Sequence, residues 1–293
     1  MPEQTVERQV ATRESLAPVL GATHDGRATA DSARSLLITV LGEFVRPHEA
    51  AWTQTLLEVM ESLGVQPKAT RQSLARLGEN GWLERTKEGR RTRWNLTDTS
   101  RELLESGAER IYGFGQSPRS WDGRWSVLLA SLPDGHPTSR HRLRARLGWA
   151  GYASFEQGAW ISPWTDHEHA AVQVLDELDM RVATSFVAEL GQLGDGQDIV
   201  RRAWKLDDVN ARYRDFIDMT PTASASGAAA ARELTLLVHR WRRFPFLDPE
   251  LPAELLPDGW LGAPAAALFG AARSALIEPA TTWWLASDER FGT

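Results

Sequence analysis

Basic and amide side chains able to recognise DNA are concentrated in one short stretch, residues 66–93. Eight basic and three acidic residues fall there, a net charge of +5. The whole chain carries −6, so the remaining residues carry −11. Positive charge held on one segment of an acidic chain indicates a dedicated polyanion-binding face rather than a generally basic surface.

The spacing within residues 66–80 predicts a helix with one charged face. Pro67 suits the first helical turn, where its missing N–H is no loss. Thr70, Leu74 and Leu77 share one stripe that faces inward. The outward-facing side chains are Lys68, Arg71, Gln72 and Ala75. Asn80-Gly81 supplies a left-handed end to the helix.

A basic hairpin is predicted directly after this helix. Its strands are Trp82-Leu83 and Trp94-Asn95-Leu96, with Lys87-Glu88-Gly89-Arg90-Arg91 between them. Arg and Gln on a helix read base edges in the major groove, and cations on a hairpin hold the DNA backbone. The predicted DNA-contacting residues are Lys68, Thr70, Arg71, Gln72, Ser73, Arg76, Lys87, Arg90, Arg91 and Arg93.

Two further helices precede this segment. One is capped by Asp31-Ser32 and runs to Phe44, and the other covers residues 52–63. Three helices followed by strand, hairpin tip and strand is the order of a winged helix-turn-helix, so residues 31–97 are predicted to form such a domain. Residues 1–30 are predicted to be a flexible tail, and residues 98–120 a linker helix and loop.

The rest of the chain predicts two more domains, which makes the fold class α+β. Residues 121–195 show the order β-α-β-β-α-β of a ferredoxin-like domain, with strands at 126–132, 152–155, 159–162 and 182–190 and helices at 137–149 and 167–178. Residues 196–293 predict an all-helical domain with helices at 198–205, 206–219, 228–244 and 265–277. A ferredoxin-like fold by itself names no activity.

Composition excludes several classes of function. The chain has 293 residues and no cysteine, so disulfides, thiolate metal sites and cysteine nucleophiles are absent. No run of 18 apolar residues and no secretory leader is present, so a cytoplasmic protein with neither membrane span nor signal peptide is expected. No cofactor and no metal is predicted.

Three alternatives compete with the DNA-binding hypothesis. The cationic stretch is also compatible with an ordinary amphipathic helix and hairpin with a solvated surface, or with a winged helix that contacts only proteins. A metal-dependent nuclease is the enzymatic alternative, because ferredoxin-like domains include nucleases. Its candidate metal ligands are Asp134 and the cluster Asp166, His167, Glu168 and His169, although the cluster lacks the HExxH spacing.

Several spaced segments resemble, in order, the PaaX family of phenylacetic-acid-degradation repressors. They are SLLITVLGEFVRP, GWLERTKEGRRTRWNLT, WDGRW, GAWISP, RRAWKLDDV and LVHRWRRFPFLDPELPAELLPDGW, within residues 34–285. The resemblance implies a homodimeric transcriptional repressor that binds palindromic operator DNA through a winged helix. It also implies release of the DNA by an acyl- or aryl-coenzyme A thioester such as phenylacetyl-CoA.

Such an effector requires cations for its phosphates and an apolar slot for its acyl group. The candidate cations are Arg202, His239, Arg240 and Arg243. The candidate slot residues are Trp160, Trp204 and Trp241. The basic residues near position 240 are equally explained by a helix C-terminus, whose dipole favours positive charge.

Overall fold

The chain folds into two compact units in a computed structural model that describes residues 32–116, 119–130, 137–180, 183–220 and 225–292. Unit A contains residues 32–116, 214–245 and 263–292, and unit B contains residues 119–213 and 246–262. Residues predicted as one C-terminal domain therefore contribute to both units. The predicted tail, residues 1–30, lies outside the described residues.

The described chain combines helices with two antiparallel sheets, which confirms the α+β class. The helices are α1 (Ala33–Val40), α2 (Arg46–His48), α3 (Thr53–Ser62), α4 (Pro67–Glu79), α5 (Asp98–Gly113), α6 (Pro137–Trp149), α7 (Glu168–Glu177), α8 (Gly196–Ala203), α9 (Leu206–Met219), α10 (Gly227–Trp241), α11 (Phe244–Leu247) and α12 (Gly262–Gly292). The strands are β1 (Ala50–Trp52), β2 (Leu83–Glu88), β3 (Arg91–Leu96), β4 (Arg124–Ala130), β5 (Ala153–Glu156), β6 (Ala159–Ser162) and β7 (Ala183–Glu189). A π-helical segment, Leu41–Val45, joins α1 to α2.

Unit A contains a three-stranded antiparallel sheet in the order β1-β3-β2. The sequence did not predict β1, because three residues are too few to show an alternating pattern. The hairpin strands β2 and β3 are longer than predicted and pair from Leu83 with Leu96 to Glu88 with Arg91, and Trp82 lies outside them. Backbone pairing with β3 gives β2 its strand conformation although five of its six side chains are exposed.

An aromatic cluster forms the core of unit A around Trp241. Its indole ring is fully buried and stacks on Phe269 with ring centres 4.6 Å apart. Phe216 and Phe244 pack at 5.3 and 5.2 Å, and the indole N–H donates to the carbonyl of Ile111 at 3.1 Å. A buried tryptophan whose N–H is satisfied is a structural anchor. Trp241 therefore belongs to the core and not to an effector cleft.

Helix α12 is longer than predicted and passes through Pro279. Pro279 lacks an N–H, which usually ends or kinks a helix. Burial on both sides of the proline compensates here, since Leu276 and Ala280 are buried and Trp284 stacks on Phe44 at 4.8 Å. Tertiary packing thus continues the helix beyond residue 277, where its end was predicted.

The last turns of α12 bind the start of α3. Asp288 accepts hydrogen bonds from the backbone N–H of Trp52 at 2.9 Å and from the hydroxyl of Thr55 at 2.8 Å. Trp52 is the N-cap residue of α3 and has no capping side chain of its own. Asp288 therefore accepts the N–H of the N-cap residue, as the N3 Glu or Gln side chain does in a capping box.

Unit B is built on a four-stranded antiparallel sheet in the order β5-β6-β4-β7. Helices α6 and α7 pack on one face, where Leu143, Leu147 and Val174 meet Leu128 and Trp160. Part of the other face is covered by α8 and by residues 251–255, which meet β4 and β6. This strand order with both helices on one face confirms the predicted ferredoxin-like β-α-β-β-α-β domain.

Candidate nucleic-acid interface

Local sequence sets both ends of α4. Pro67 occupies the first turn after the extended N-cap residue Gln66. At the other end Gly81 has φ +71°, and its N–H donates to the carbonyl of Gly78 at 3.1 Å. The N–H of Trp82 donates to the carbonyl of Leu77 at 2.9 Å. These two bonds form a Schellman motif, which confirms the predicted glycine end of the helix.

Helix α4 has one buried face and one cationic face. The buried residues are Thr70, Ser73, Leu74 and Leu77. The exposed residues in the middle of the helix are Lys68, Arg71, Gln72, Ala75 and Arg76. Thr70 is fully buried, and its hydroxyl donates to the carbonyl of Gln66 at 3.4 Å, so its inclusion among the DNA contacts was wrong. Ser73 lies at the margin of the buried face.

The hairpin turns tightly at Gly89-Arg90. Gly89 has φ +61°, a conformation that glycine adopts without steric cost, and it stands first in a two-residue turn. Lys87 and Arg90 are exposed at this tip, as is Arg85 on β2. Arg85 was absent from the predicted DNA contacts. Arg85 lies opposite Trp94 in the β2–β3 register and is exposed, but the predicted two-residue strand did not reach it.

The two remaining hairpin arginines contact unit A itself. Arg91 donates through Nη1 to the carbonyl of Phe291 at 3.1 Å. Arg93 is half-buried, and its guanidinium lies 5.5 Å from the ring centre of Trp52. Arg91 therefore links the hairpin to the end of α12, and Arg93 links it to β1, which sequence spacing alone does not reveal.

Six cations remain exposed on α4 and the hairpin. They are Lys68, Arg71, Arg76, Arg85, Lys87 and Arg90. Within the described part of the chain, none of the six forms an ion pair with a carboxylate. Exposed cations without an ion-pair partner are available to phosphate oxygens and base edges.

The predicted effector residues divide between the two units. Those in unit B are Trp160, Arg202 and Trp204. Those in unit A are His239, Arg240, Trp241 and Arg243. His239 is buried and shares a hydrogen bond of 2.9 Å with the hydroxyl of Thr39, and Arg240 donates to the carbonyl of Met219 at 3.0 Å. His239 and Trp241 are therefore structural residues of unit A.

Unit B contains a cavity of about 380 Å³ beside the predicted residues Trp160 and Trp204. Arg144, Phe246 and Tyr152 also line it. Sequence reasoning did not select Arg144, because it is one of several arginines along α6. Arg202 lies two residues before Trp204 but stacks over Phe155 at 4.4 Å and pairs with Glu156. The cavity joins aromatic walls to a cation, as an aromatic anion requires.

A buried polar group lies in unit A where α1 passes into the π-helical segment. The Glu43 side chain is 4% exposed, accepts a hydrogen bond from the hydroxyl of Tyr112, and lies 3.7 Å from Arg273. Burial raises the pKa of Glu43 to about 7, although Arg273 and Arg46 act in the opposite direction. Glu43 therefore titrates near neutral pH.

No nuclease centre is supported in the described ranges. They contain no group of three His, Asp or Glu side chains able to hold a metal ion. His167 shares a hydrogen bond with Ser162 at 3.3 Å, and Glu168 accepts one from Ser185. Asp134, the other candidate ligand, lies outside the described residues. The nuclease alternative therefore has no candidate metal site in this part of the chain. Among the described helices, none combines the length and apolar character needed to cross a membrane.

Comparison with known proteins identifies the family. Three family models match in sequence order: PaaX-like protein at residues 32–100, PaaX protein central Cas2-like domain at 118–200, and PaaX-like protein C-terminal domain at 204–286. Together they define a three-part protein with a ferredoxin-like centre. The chain belongs to the PaaX family, and the resemblance seen in the sequence is confirmed.

Two relatives cover most of the chain. The transcriptional repressor PaaX of Escherichia coli (strain K12) is 29% identical over 255 residues, which are 82% of this chain and 78% of that protein. The solved structure of the uncharacterized protein Rv0674 from Mycobacterium tuberculosis has a TM-score of 0.60 at 20% identity. The match covers 87% of this chain and 98% of that one, and it supports the fold alone.

Proposed function

We propose that the chain is a DNA-binding transcriptional repressor whose residues 31–97 act as a winged helix-turn-helix. The observation that carries the proposal is the exposed, unpaired cationic surface of α4 and the hairpin tip, on a chain whose net charge is −6. The name of the Escherichia coli relative supports repression. The proposal assigns no catalytic step to the protein and places its action on the chromosome in the cytoplasm.

In this proposal the two elements have different tasks. Arg71 and Gln72 stand next to each other on the exposed face of α4 and read base edges, where Arg bonds guanine bidentately and Gln bonds adenine. Lys68 and Arg76 flank them. Lys87 and Arg90 at the hairpin tip hold phosphates, which positions the protein without selecting a sequence. Arg91 and Arg93 position the hairpin through their contacts with Phe291 and Trp52.

Two alanine variants test this division. Arg71→Ala should weaken operator binding by about 1–3 kcal/mol and relax one base position. Arg90→Ala should weaken binding to all duplexes similarly and reduce the salt dependence by roughly one counterion. Fluorescence anisotropy with the upstream DNA of the protein's own gene, at several salt concentrations, measures both effects.

Arg201→Ala is the matched control, because Arg201 is an exposed arginine of unit B that pairs with Asp198. It should leave DNA affinity unchanged. A loss at Arg90 confined to one base position, or equal losses at Arg71 and Arg201, would contradict the proposed roles. Failure of the wild-type protein to retain duplex DNA at low salt would favour a winged helix used only for protein contacts.

The proposal includes a homodimer released from DNA by an acyl- or aryl-CoA such as phenylacetyl-CoA. The family supports it, and the unit B cavity with Trp160, Trp204 and Arg144 is the proposed site of the aromatic acyl group. Trp204→Ala should leave operator binding intact and weaken release by phenylacetyl-CoA in a mobility-shift titration. The control is Trp149→Ala, at a half-buried position at the end of α6. If phenylacetyl-CoA releases the DNA from Trp204→Ala at the same half-saturating concentration as from the wild-type protein, the effector binds elsewhere.

A further inference from the structure

The two edges of the unit B sheet differ in how they are protected. Edge strand β5 has only four residues, and its register with β6 shifts between Ser154 and Glu156. Short length, irregular register and charge are the features that blunt an edge strand. Its neighbour α8 also packs close by, since Ile199 and Phe155 belong to one apolar cluster. This edge is therefore unsuited to pairing with another strand.

Edge strand β7 has none of these features. It has seven residues, pairs with β4 in unbroken register from Ala183 to Glu189, and contains one charged residue and no proline. Within the described part of the chain it pairs on one side only. A long, regular edge with a single charge at its end presents a row of backbone donors and acceptors to another chain. Exposed edges of this kind are sites where another strand adds to a sheet.

Large apolar side chains are exposed along the same edge. Phe186 is 53% exposed and Val187 is 47% exposed on β7, and Leu129 of the neighbouring β4 is 45% exposed. In the β4–β7 register Phe186 lies opposite Val127, so Phe186 shares a face with Leu129, while Val187 lies on the face of α6 and α7. Apolar side chains that stand out on both faces of one edge mark an interaction surface.

From this edge we infer that β7 pairs with β7 of a second copy of this chain, so that two four-stranded sheets join into one antiparallel sheet. The inference deepens the homodimer of the proposed function and rests on it. An antiparallel pair related by a two-fold axis is self-complementary, because each strand offers the other the same donors and acceptors. No second protein is required to explain the edge.

Geometry and charge together fix the register. A two-fold axis perpendicular to the sheet keeps each side chain on its own face, so only positions of equal parity stand opposite each other. Full overlap of the seven residues then places the axis at Phe186. Glu189 falls opposite Ala183 of the second copy, and Ser185 falls opposite Val187. No like charges meet, and the two Phe186 rings lie side by side on the open face.

The helix-covered face has room for the partner's side chain. A groove of about 100 Å³ lies between α7 and β7 and is lined by Val172, Leu175 and Ser185. Val172 is itself exposed on α7. In the inferred register Val187 of the second copy stands opposite Ser185, at the mouth of this groove. Burial of both apolar faces accompanies the backbone pairing.

Cysteine cross-linking tests the register directly, since the chain contains no cysteine. Residues opposite each other in an antiparallel pair have Cα atoms roughly 4.5–5.5 Å apart, within the range of a disulfide. Phe186→Cys should form a covalent dimer under mild oxidation. A mixture of Ser185→Cys and Val187→Cys should cross-link more than either variant alone. Leu193→Cys, at a 92% exposed position beyond the strand, is the control and should remain monomeric on a non-reducing gel.

Charge variants give a second measurement that needs no oxidation. Phe186→Lys and Phe186→Glu each place like charges on the axis, so each alone should raise the dimer dissociation constant at least tenfold in sedimentation equilibrium. A one-to-one mixture of the two should restore the dimer. Leu193→Lys should have no effect. Unchanged dissociation constants in both Phe186 variants, or equal cross-linking at positions 186 and 193, would overturn the inference.

The outcomes separate this inference from the proposed function. A wild-type dimer that binds duplex DNA, without cross-linking at position 186, overturns the β7 interface and leaves the repressor proposal standing. Cross-linking at position 186 in a protein that does not bind duplex DNA supports the interface and contradicts the repressor proposal. A wild-type chain that stays monomeric at all concentrations overturns the interface.

Discussion

Replacing Glu43 by Gln should remove a pH dependence of stability that originates in one buried carboxyl group. Burial raises the pKa of Glu43 from 4.5 to about 7. The folded protein therefore binds a proton at this site that the unfolded chain releases at lower pH. Stability falls as pH rises through the window from about 4.5 to about 7, and the loss is complete above that window.

The magnitude follows from the same two pKa values. A displacement from 4.5 to about 7, at about 1.4 kcal/mol per pH unit, corresponds to a free energy of unfolding lower by about 3 kcal/mol above pH 7. Gln has the shape of protonated Glu, and its amide oxygen still accepts the hydrogen bond from the hydroxyl of Tyr112. Glu43→Gln should therefore gain roughly 2–3 kcal/mol on the wild-type protein between pH 5 and pH 8.

Urea unfolding of both proteins at a series of pH values measures this difference, because all other titrating groups cancel between them. The variant curve should rise relative to the wild-type curve as the pH increases. A difference that is constant from pH 5 to pH 8 would refute the assignment. A wild-type protein that becomes the more stable one at pH 8 would show that Arg273, at 3.7 Å, keeps the carboxylate ionised.

Two further predictions concern stability. Trp241→Ala should lower the free energy of unfolding by about 3–5 kcal/mol in urea titrations, because it empties a fully buried site stacked on Phe269; a loss below 1 kcal/mol would contradict the anchoring role. Asp288→Ala should cost about 1–2 kcal/mol by removing the acceptor for the N–H of Trp52 and the hydroxyl of Thr55, and amide exchange should increase at the start of α3. Glu278→Ala, at an exposed position of α12, is its control, and equal losses in the two variants would contradict the proposed role of Asp288.

The sequence predicted those elements whose signals are local. Pro67 and Gly81 set the ends of α4, and both are confirmed. The ferredoxin-like domain was recognisable because its strands and helices alternate at regular spacing. The predicted hairpin strands were shorter than β2 and β3, because residues 84–88 are polar and exposed and therefore show no hydrophobic alternation.

Features that depend on distant contacts were beyond sequence reasoning. Trp204 lines a cavity and Trp241 is core, yet both stand near arginines and look alike in the sequence. The last helix was predicted to end at residue 277, but it continues through Pro279, and Ala280 beyond the proline is buried. Whether Arg91 faces solvent or the carbonyl of Phe291 depends on a contact across 200 positions, which no local pattern records.

The bonds between the end of α12 and the start of α3 have a consequence for how the protein is made. They join residues separated by 229 to 236 positions, such as Ser287 to Glu58 and Asp288 to Trp52. When α4 and the hairpin have been synthesised, the α12 residues that hydrogen-bond to α3 have not yet been added to the chain. Contacts of such separation form late and slow folding. The part of unit A that contains α3, α4 and the hairpin therefore reaches its final stability only after translation has passed residue 288.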